Sequence, residues 1–109
     1  MSGKILEGVK ILDLTRVIAG PLCTQNLADL GATVYKIEKP HEGDDTRRMG
    51  PFLKDRKTQE DSNNSALFLA YNRGKKSLAI DITTEAGIHV IRELAKSCDV
   101  FVENYKSGN

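Results

Sequence analysis

The stretch Val9–Glu38 leaves this chain few folds to choose from. An apolar run, Val9–Leu14, leads through a Gly-Pro break into an amphipathic segment closed by Gly31 and then a second strand-like run, Thr33–Glu38. Val9, Ile11, Leu12 and Leu14 alternate little, the pattern of a parallel strand covered on both faces. Pro21 suits the first turn of a helix, where its missing N–H costs nothing. Cys23, Leu27 and Leu30 recur at i, i+4 and i+7 with Ala28 beside them, which predicts one buried face. Gly31 is placed to end the helix in a left-handed cap, and TVYKIE returns directly to the sheet. The unit is strand–helix–strand. Its first loop, Thr15–Pro21, falls at the carboxyl edge of the strands, where open α/β sheets hold ligands.

The remaining segments are placed beside that unit. His41–Ser65 is rich in Gly, Asp, Arg, Lys, Asn and Ser and shows no sustained period, so it reads as a long loop, either a surface insertion or a substrate-side lid. Ala66–Tyr71 predicts a short helix. Leu78, Ile80 and Ile82 alternate in Lys76–Ile82, a third strand. Thr83 or Thr84 can cap the next helix, with Glu85 in its first turn and Lys96 in its last. Ile88, Ile91 and Ala95, flanked by Val90 and Leu94, form its apolar face, and Asp99–Glu103 is a fourth strand. The order predicts an α/β fold: an open parallel Rossmann-like sheet of about four strands with flanking helices. A chain of 109 residues gives room for one domain and no second. Two helices and a fragment cover both faces of such a sheet thinly, so the expectation is an incomplete sheet, the front portion of a larger fold.

Charge and motifs remove several function classes. A formal net charge of +1 gives no global attraction to nucleic acid or to a membrane surface. No apolar run approaches the ~20 residues of a membrane helix. MSGKILEGVK has neither the features of a secretory signal nor those of an organelle transit peptide, so a cytoplasmic protein is expected, with the mitochondrial matrix as the eukaryotic alternative. Cys23 and Cys98 lack metal-ligand spacing and read as buried free thiols, and no metal is expected. Glu38 ends the second strand where a dinucleotide site carries its ribose-binding acid. The first loop is T-R-V-I-A-G-P rather than G-x-G-x-x-G, however, so a cradle for a pyrophosphate is missing. The run Asn72–Ser77 fails as a Walker loop: Leu69 and Lys76 stand where Gly and Ser or Thr are required, and a strand follows. It reads as a solvated basic turn, or else as a local phosphate site of Arg73, Lys75 and Lys76 near Lys39. Asp44 and Asp45 read as turn formers. His41 and His89 are far apart, and no nucleophile–base or metal constellation assembles.

Five phrases in order are more specific than any single motif: G-V-K-I-L-D-L-T-R-V-I-A-G-P (8–21), L-A-D-L-G-A-T-V-Y-K-I-E-K-P (27–40), G-D-D-T-R (43–47), N-R-G-K-K-S (72–77) and D-V-F-V-E-N-Y (99–105). Together they resemble the N-terminal part of the class III CoA-transferases, the formyl-CoA transferase/carnitine CoA-transferase type. Within these the chain looks most similar to the succinate–hydroxymethylglutarate CoA-transferase group. The resemblance implies transfer of coenzyme A from an acyl-CoA to a free carboxylic or dicarboxylic acid through an aspartyl anhydride. The aspartate would lie downstream of residue 109, not among Asp13, Asp29, Asp81 or Asp99. It also implies a homodimer for the full-length protein.

Matched residue by residue, the resemblance carries over part of a CoA site. Val17, Ile18 and Ala19 match positions lining the thiol and pantetheine end. Lys39 matches a basic residue at the nucleotide end. Ile80, Asp81, Ile82 and Thr83 match the adenine border, and Asn104, Tyr105 and Lys106 match the segment beside the diphosphate. Ile18 stands where formyl-CoA members often carry a polar residue, which argues against an oxalate-type contact there. Two other readings stand beside this one. The first is a truncated, non-catalytic CoA-binding or regulatory partner of a full-length transferase. The second is an unrelated nucleotide-binding α/β protein.

Overall fold

The computed structural model describes residues 3–108. Its elements run β1 (Lys10–Asp13), α1 (Ala19–Asp29), β2 (Thr33–Glu38), a 3₁₀ turn (Asp45–Arg48), β3 (Phe52–Lys54), β4 (Asp61–Ser65), α2 (Ala66–Tyr71), β5 (Lys76–Ala79), α3 (Glu85–Lys96) and β6 (Val100–Val102). The main sheet is parallel throughout, in the order β5-β2-β1-β6, and β3 and β4 form a separate antiparallel pair. The expected open parallel α/β sheet is present, with its four strands and flanking helices.

Alternation along β1 and β2 divides the core into two layers. Ile11 and Val34 point to one face and pack with Ala32 against Leu27 and Ala28 of α1. Leu12, Leu14 and Ile37 point to the other and pack with Ile91 of α3. Each helix therefore covers one face, as a parallel sheet requires. α1 closes as its sequence predicts. Gly31 takes φ +109°, and the N–H groups of Gly31 and Ala32 donate to Ala28 and Leu27 at 3.0 and 3.1 Å, a Schellman cap. Thr84 rather than Thr83 caps α3, accepting from Gly87 N–H at 3.0 Å.

The predicted buried face of α1 holds at Leu27 and Ala28 and fails at Cys23 and Leu30. Cys23 is exposed and Leu30 is 48% exposed, while Pro21, Thr24 and Gln25 are buried. The cause lies beneath the helix. Toward the carboxyl end of the sheet, the face under α1 carries Asp13 and Lys36, so the first turns of α1 supply polar partners and only the later turns supply apolar cover. The segment His41–Ser65 also departs from a structureless loop. It holds the 3₁₀ turn and the β3–β4 pair, ordered by short-range polar bonds that carry no periodic signal. Examples are Asp55 accepting from the N–H groups of Lys57 and Thr58 and Lys54 paired with Asp61 at 2.9 Å.

Candidate functional site

The sheet order makes one place special. From β1 the chain moves outward through β2 to β5, then crosses back over to place β6 on the far side of β1. The reversal lies between β1 and β6, and ligands of open α/β sheets bind at such a switch point, outside the carboxyl ends of the strands. Four connections leave the sheet on that edge: Leu14–Ile18 after β1, Lys39–Asp44 after β2, Ile80–Thr84 after β5 and Glu103–Lys106 after β6.

A groove runs along this edge in two parts. A cavity of about 630 Å³ at the β1/β6 end is lined by Leu14, Arg16, Phe101, Glu103 and Lys106 together with Ile82, Thr83 and Tyr105. A second, of about 400 Å³, lies at the β2/β5 end against Lys39, Pro40, His41 and Asp81 and shares those last three residues. Ile82, Thr83 and Tyr105 form the partition. Both volumes fall in the range of small-molecule sites. Arg16 stacks over the Tyr105 ring at 4.5 Å, which fixes the partition against the first loop. Cations stand along the groove at Arg16, Lys39 and Lys106. The Asp81 carboxylate is turned to its own loop: it accepts from the hydroxyl and N–H of Thr83 at 2.6 and 2.9 Å, and these bonds hold its pKa below the ordinary value.

Of the expected site residues, Lys39, Asp81, Ile82, Thr83, Tyr105 and Lys106 line the groove. Val17 and Ile18 lie on the adjoining first loop and Ala19 opens α1, all with their side chains exposed, Val17 and Ile18 each to 39%. Ile80 packs into the core layer beside Ile37 and Ile91. Asn104 turns its side chain to the first loop, accepting from Arg16 N–H at 3.1 Å and donating to Arg16 C=O at 2.9 Å.

Two other readings of the sequence are overturned. Arg73, Lys75 and Lys76 do not form a phosphate site with Lys39. Lys76 pairs with Tyr35, four residues before Lys39 and ~13 Å away along the strand. Arg73 is held by Asp29 at 2.5 Å, and Lys75 is buried, with Asp13 at 3.2 Å and the Pro21 carbonyl at 3.0 Å. Nor is Glu38 free for a ribose. It is 6% exposed and accepts from Arg47 Nε and Nη2 at 2.7 and 2.8 Å, from the Ser77 hydroxyl and from Asp44 N–H at 2.8 Å. Burial by itself pushes this carboxyl up, but the hydrogen bonds and the Arg47 charge together hold it at about 2.

These contacts belong to a buried polar network, centred under the first turns of α1, that the sequence reading missed. Asp13 accepts from the hydroxyls of Thr15 and Thr24 at 2.5 and 2.6 Å. Lys36, 1% exposed, donates to Asp44 at 2.9 Å and to Thr15 C=O at 3.1 Å. Asp44 also accepts from the Thr46 N–H and hydroxyl at 2.9 and 2.8 Å. Burial raises the Asp44 carboxyl, and the bonds from Thr46 and Lys36 more than reverse it, so its pKa sits below the ordinary value. No buried side-chain nitrogen or oxygen among the described residues lacks a partner. The signal was available: Asp13 and Lys36 interrupt apolar runs in the two inner strands, where a charge is buried and needs a partner.

Fold, switch-point groove and sequence converge on one family. The chain belongs to CoA-transferase family III, which it matches over residues 6–109. It is 54% identical over 108 residues to the mouse succinyl-CoA:glutarate CoA-transferase and 55% identical over 106 residues to the human one. These matches take in 98% and 96% of this chain but only 23% and 22% of the relatives, so the chain spans less than a quarter of their length. Among solved structures, a CAIB/BAIF family protein from Brucella suis superposes with a TM-score of 0.86 at 44% identity, covering 98% of this chain and 27% of that one. The chain is thus the N-terminal portion of a class III CoA-transferase, a family whose substrates are CoA thioesters.

Proposed function

We propose that the chain forms the CoA-binding front portion of the large Rossmann-like domain of an enzyme that moves CoA from an acyl-CoA to a free dicarboxylic acid. The observation that carries this reading is the family match over residues 6–109 coinciding with a groove at the switch point of the sheet. The dicarboxylate rests on the names of the similar mouse and human proteins. In this reading Val17, Ile18 and Ala19 flank the thioester and pantetheine arm. Lys39, Ile80, Asp81, Ile82 and Thr83 border the nucleotide, and Tyr105 and Lys106 border the diphosphate. The cations Lys39 and Lys106 suit phosphate oxygens.

The chemistry is carboxylate nucleophilic catalysis. An enzyme carboxylate attacks the thioester carbonyl, the C–S bond breaks, and CoA thiolate leaves behind a mixed anhydride. Thiolate attack on the enzyme carbonyl then releases the first acid and leaves an enzyme thioester. The acceptor carboxylate reverses both steps. The aspartates of the sheet region are poor candidates for that carboxylate, since each is already engaged: Asp13 by Thr15, Thr24 and Lys75, Asp29 by Arg73, Asp81 by Thr83, and Asp99 by Lys10 N–H. In this reading, as the family resemblance implies, the nucleophile belongs to sequence beyond residue 109 and the full-length protein is a homodimer.

Calorimetric titration of the 109-residue chain with CoA, NAD and ATP tests the binding reading. CoA is expected to bind more tightly than either; tighter binding of NAD or ATP would sink it. Incubation with succinyl-CoA and glutarate is expected to give no glutaryl-CoA, and measurable turnover would place the nucleophile within this chain after all.

A further inference from the structure

The first loop is held by side chains from three separate segments. Thr15 C=O accepts from Lys36, the N–H and C=O of Arg16 are both bonded to Asn104, and Val17 N–H lies 3.3 Å from each Asp44 carboxylate oxygen. Val17 takes φ +73°, a left-handed conformation that is costly for a β-branched residue, on the order of 1–3 kcal/mol. It persists only because the surroundings over-determine it. Asp44 is itself fixed, 3% exposed and paired with Lys36. Asn104 acts from the opposite side, 88 residues away in sequence and on the exit from β6. Two apolar side chains, Val17 and Ile18, are thereby presented to solvent next to an Arg16 main chain bonded through both its N–H and its C=O.

We propose that Asp44 and Asn104 are positioning residues that clamp the main chain of Arg16 and Val17 from either side, presetting the first loop for the thioester arm of CoA without touching the ligand themselves. This rests on the CoA reading above. A preset loop loses less conformational freedom when it binds, which is the advantage of preorganisation. The prediction differs from a direct contact of Asn104 with the diphosphate, because a clamp acts only on the arm that the loop meets.

The test compares two ligands on the same chain: CoA, and adenosine 3′-phosphate 5′-diphosphate, which is CoA without its pantetheine arm. Asn104→Ala alters an exposed residue and should leave the circular dichroism spectrum unchanged. Asp44→Asn keeps the side-chain shape at the buried end of the clamp. Each is expected to lose about tenfold in CoA affinity, the size of one or two hydrogen bonds, with the affinity for the nucleotide half unchanged. Equal losses for both ligands in Asn104→Ala would mean that Asn104 touches the nucleotide half or serves the fold alone, and unchanged CoA affinity would mean that the loop needs no clamp. Either result overturns the inference while leaving the CoA reading intact. Absence of any CoA binding by the unaltered chain overturns the CoA reading, and the inference with it.

Discussion

Glu38 shows how a charge is kept inside this fold. Its carboxylate is tied to Arg47, Ser77 and the Asp44 main chain, and its pKa falls from the ordinary 4.5 to about 2. A carboxyl whose folded value lies below its unfolded one contributes stability that is complete above the unfolded value and is lost as pH falls through the folded one. Chemical denaturation of the chain should therefore show stability falling between pH 4.5 and about 2. The loss from Glu38 should be of order 2 kcal/mol once the half-exposed Arg47 partner is discounted for solvent screening. Asp44 acts in the same direction. Glu38→Gln should flatten this part of the pH profile, and an equally steep fall in that variant would assign the acid sensitivity elsewhere. At this scale sequence and structure part company. The identity of Glu38 as a strand-ending acid was legible, but its partner Arg47 comes from a segment with no periodic pattern, and only the fold brings the two together.

Helices and strands were far easier to read than the side chains between them. The α2 span Ala66–Tyr71, the β2 span Thr33–Glu38 and the start of β5 at Lys76 follow the pattern of the sequence, because period and caps are local properties. The buried side of α1 was legible only in its later turns, at Leu27 and Ala28. Its apolar spacing points to Cys23 and Leu30 as well as to Leu27 and Ala28, whereas the helix turns Thr24 toward the Asp13 carboxylate of β1 and Gln25 toward the main-chain N–H of Arg73. The hairpin Phe52–Ser65 was missed for a similar reason: β4 is Asp-Ser-Asn-Asn-Ser, with no apolar alternation to reveal it. α3 carries a constraint of a different kind. A Cβ added at Gly87 would lie 1.7 Å from Asp81 C=O, a backbone atom that cannot swing away, so the first turn of α3 can approach the β5 exit only with glycine there. Gly87→Ala should push that turn outward and cost at least about 2 kcal/mol in urea unfolding, although alanine is the better helix former by ~1 kcal/mol. The shift should also disturb Asp81–Thr83 at the groove. A variant as stable as the parent would show that the contact relaxes freely.

The whole molecule is a thin slab rather than a rounded domain. Its extents are 45 × 43 × 22 Å and its radius of gyration is 15.2 Å, against about 13 Å for a compact domain of this length. The expectation of an under-covered sheet is visible in its burial. Ile11, Leu12, Leu14, Val34 and Ile37 of the first βαβ unit are buried, while Val100 and Phe101 of β6 are 42% and 52% exposed and Ile88 and Val90 of α3 are 37% and 43% exposed. Stability should therefore be graded, highest where strands have neighbours on both sides and helices on both faces, and lowest at the edges. Native-state hydrogen exchange should find the slowest amides in the inner strands β1 and β2. β6 and the α3 turns over it should exchange by smaller openings, and the β3–β4 hairpin, which pairs only with itself, should exchange faster still. The first loop is the exception within this gradient. Arg16 N–H, bonded to Asn104, should be slower than a loop amide at the sheet edge would otherwise be, and should lose that protection in Asn104→Ala while Leu12 and Val34 keep theirs. Uniform protection across all six strands would mean that the slab opens only as a whole, and that the βαβ unit at Val9–Glu38 is no more rigid than the edges built on to it.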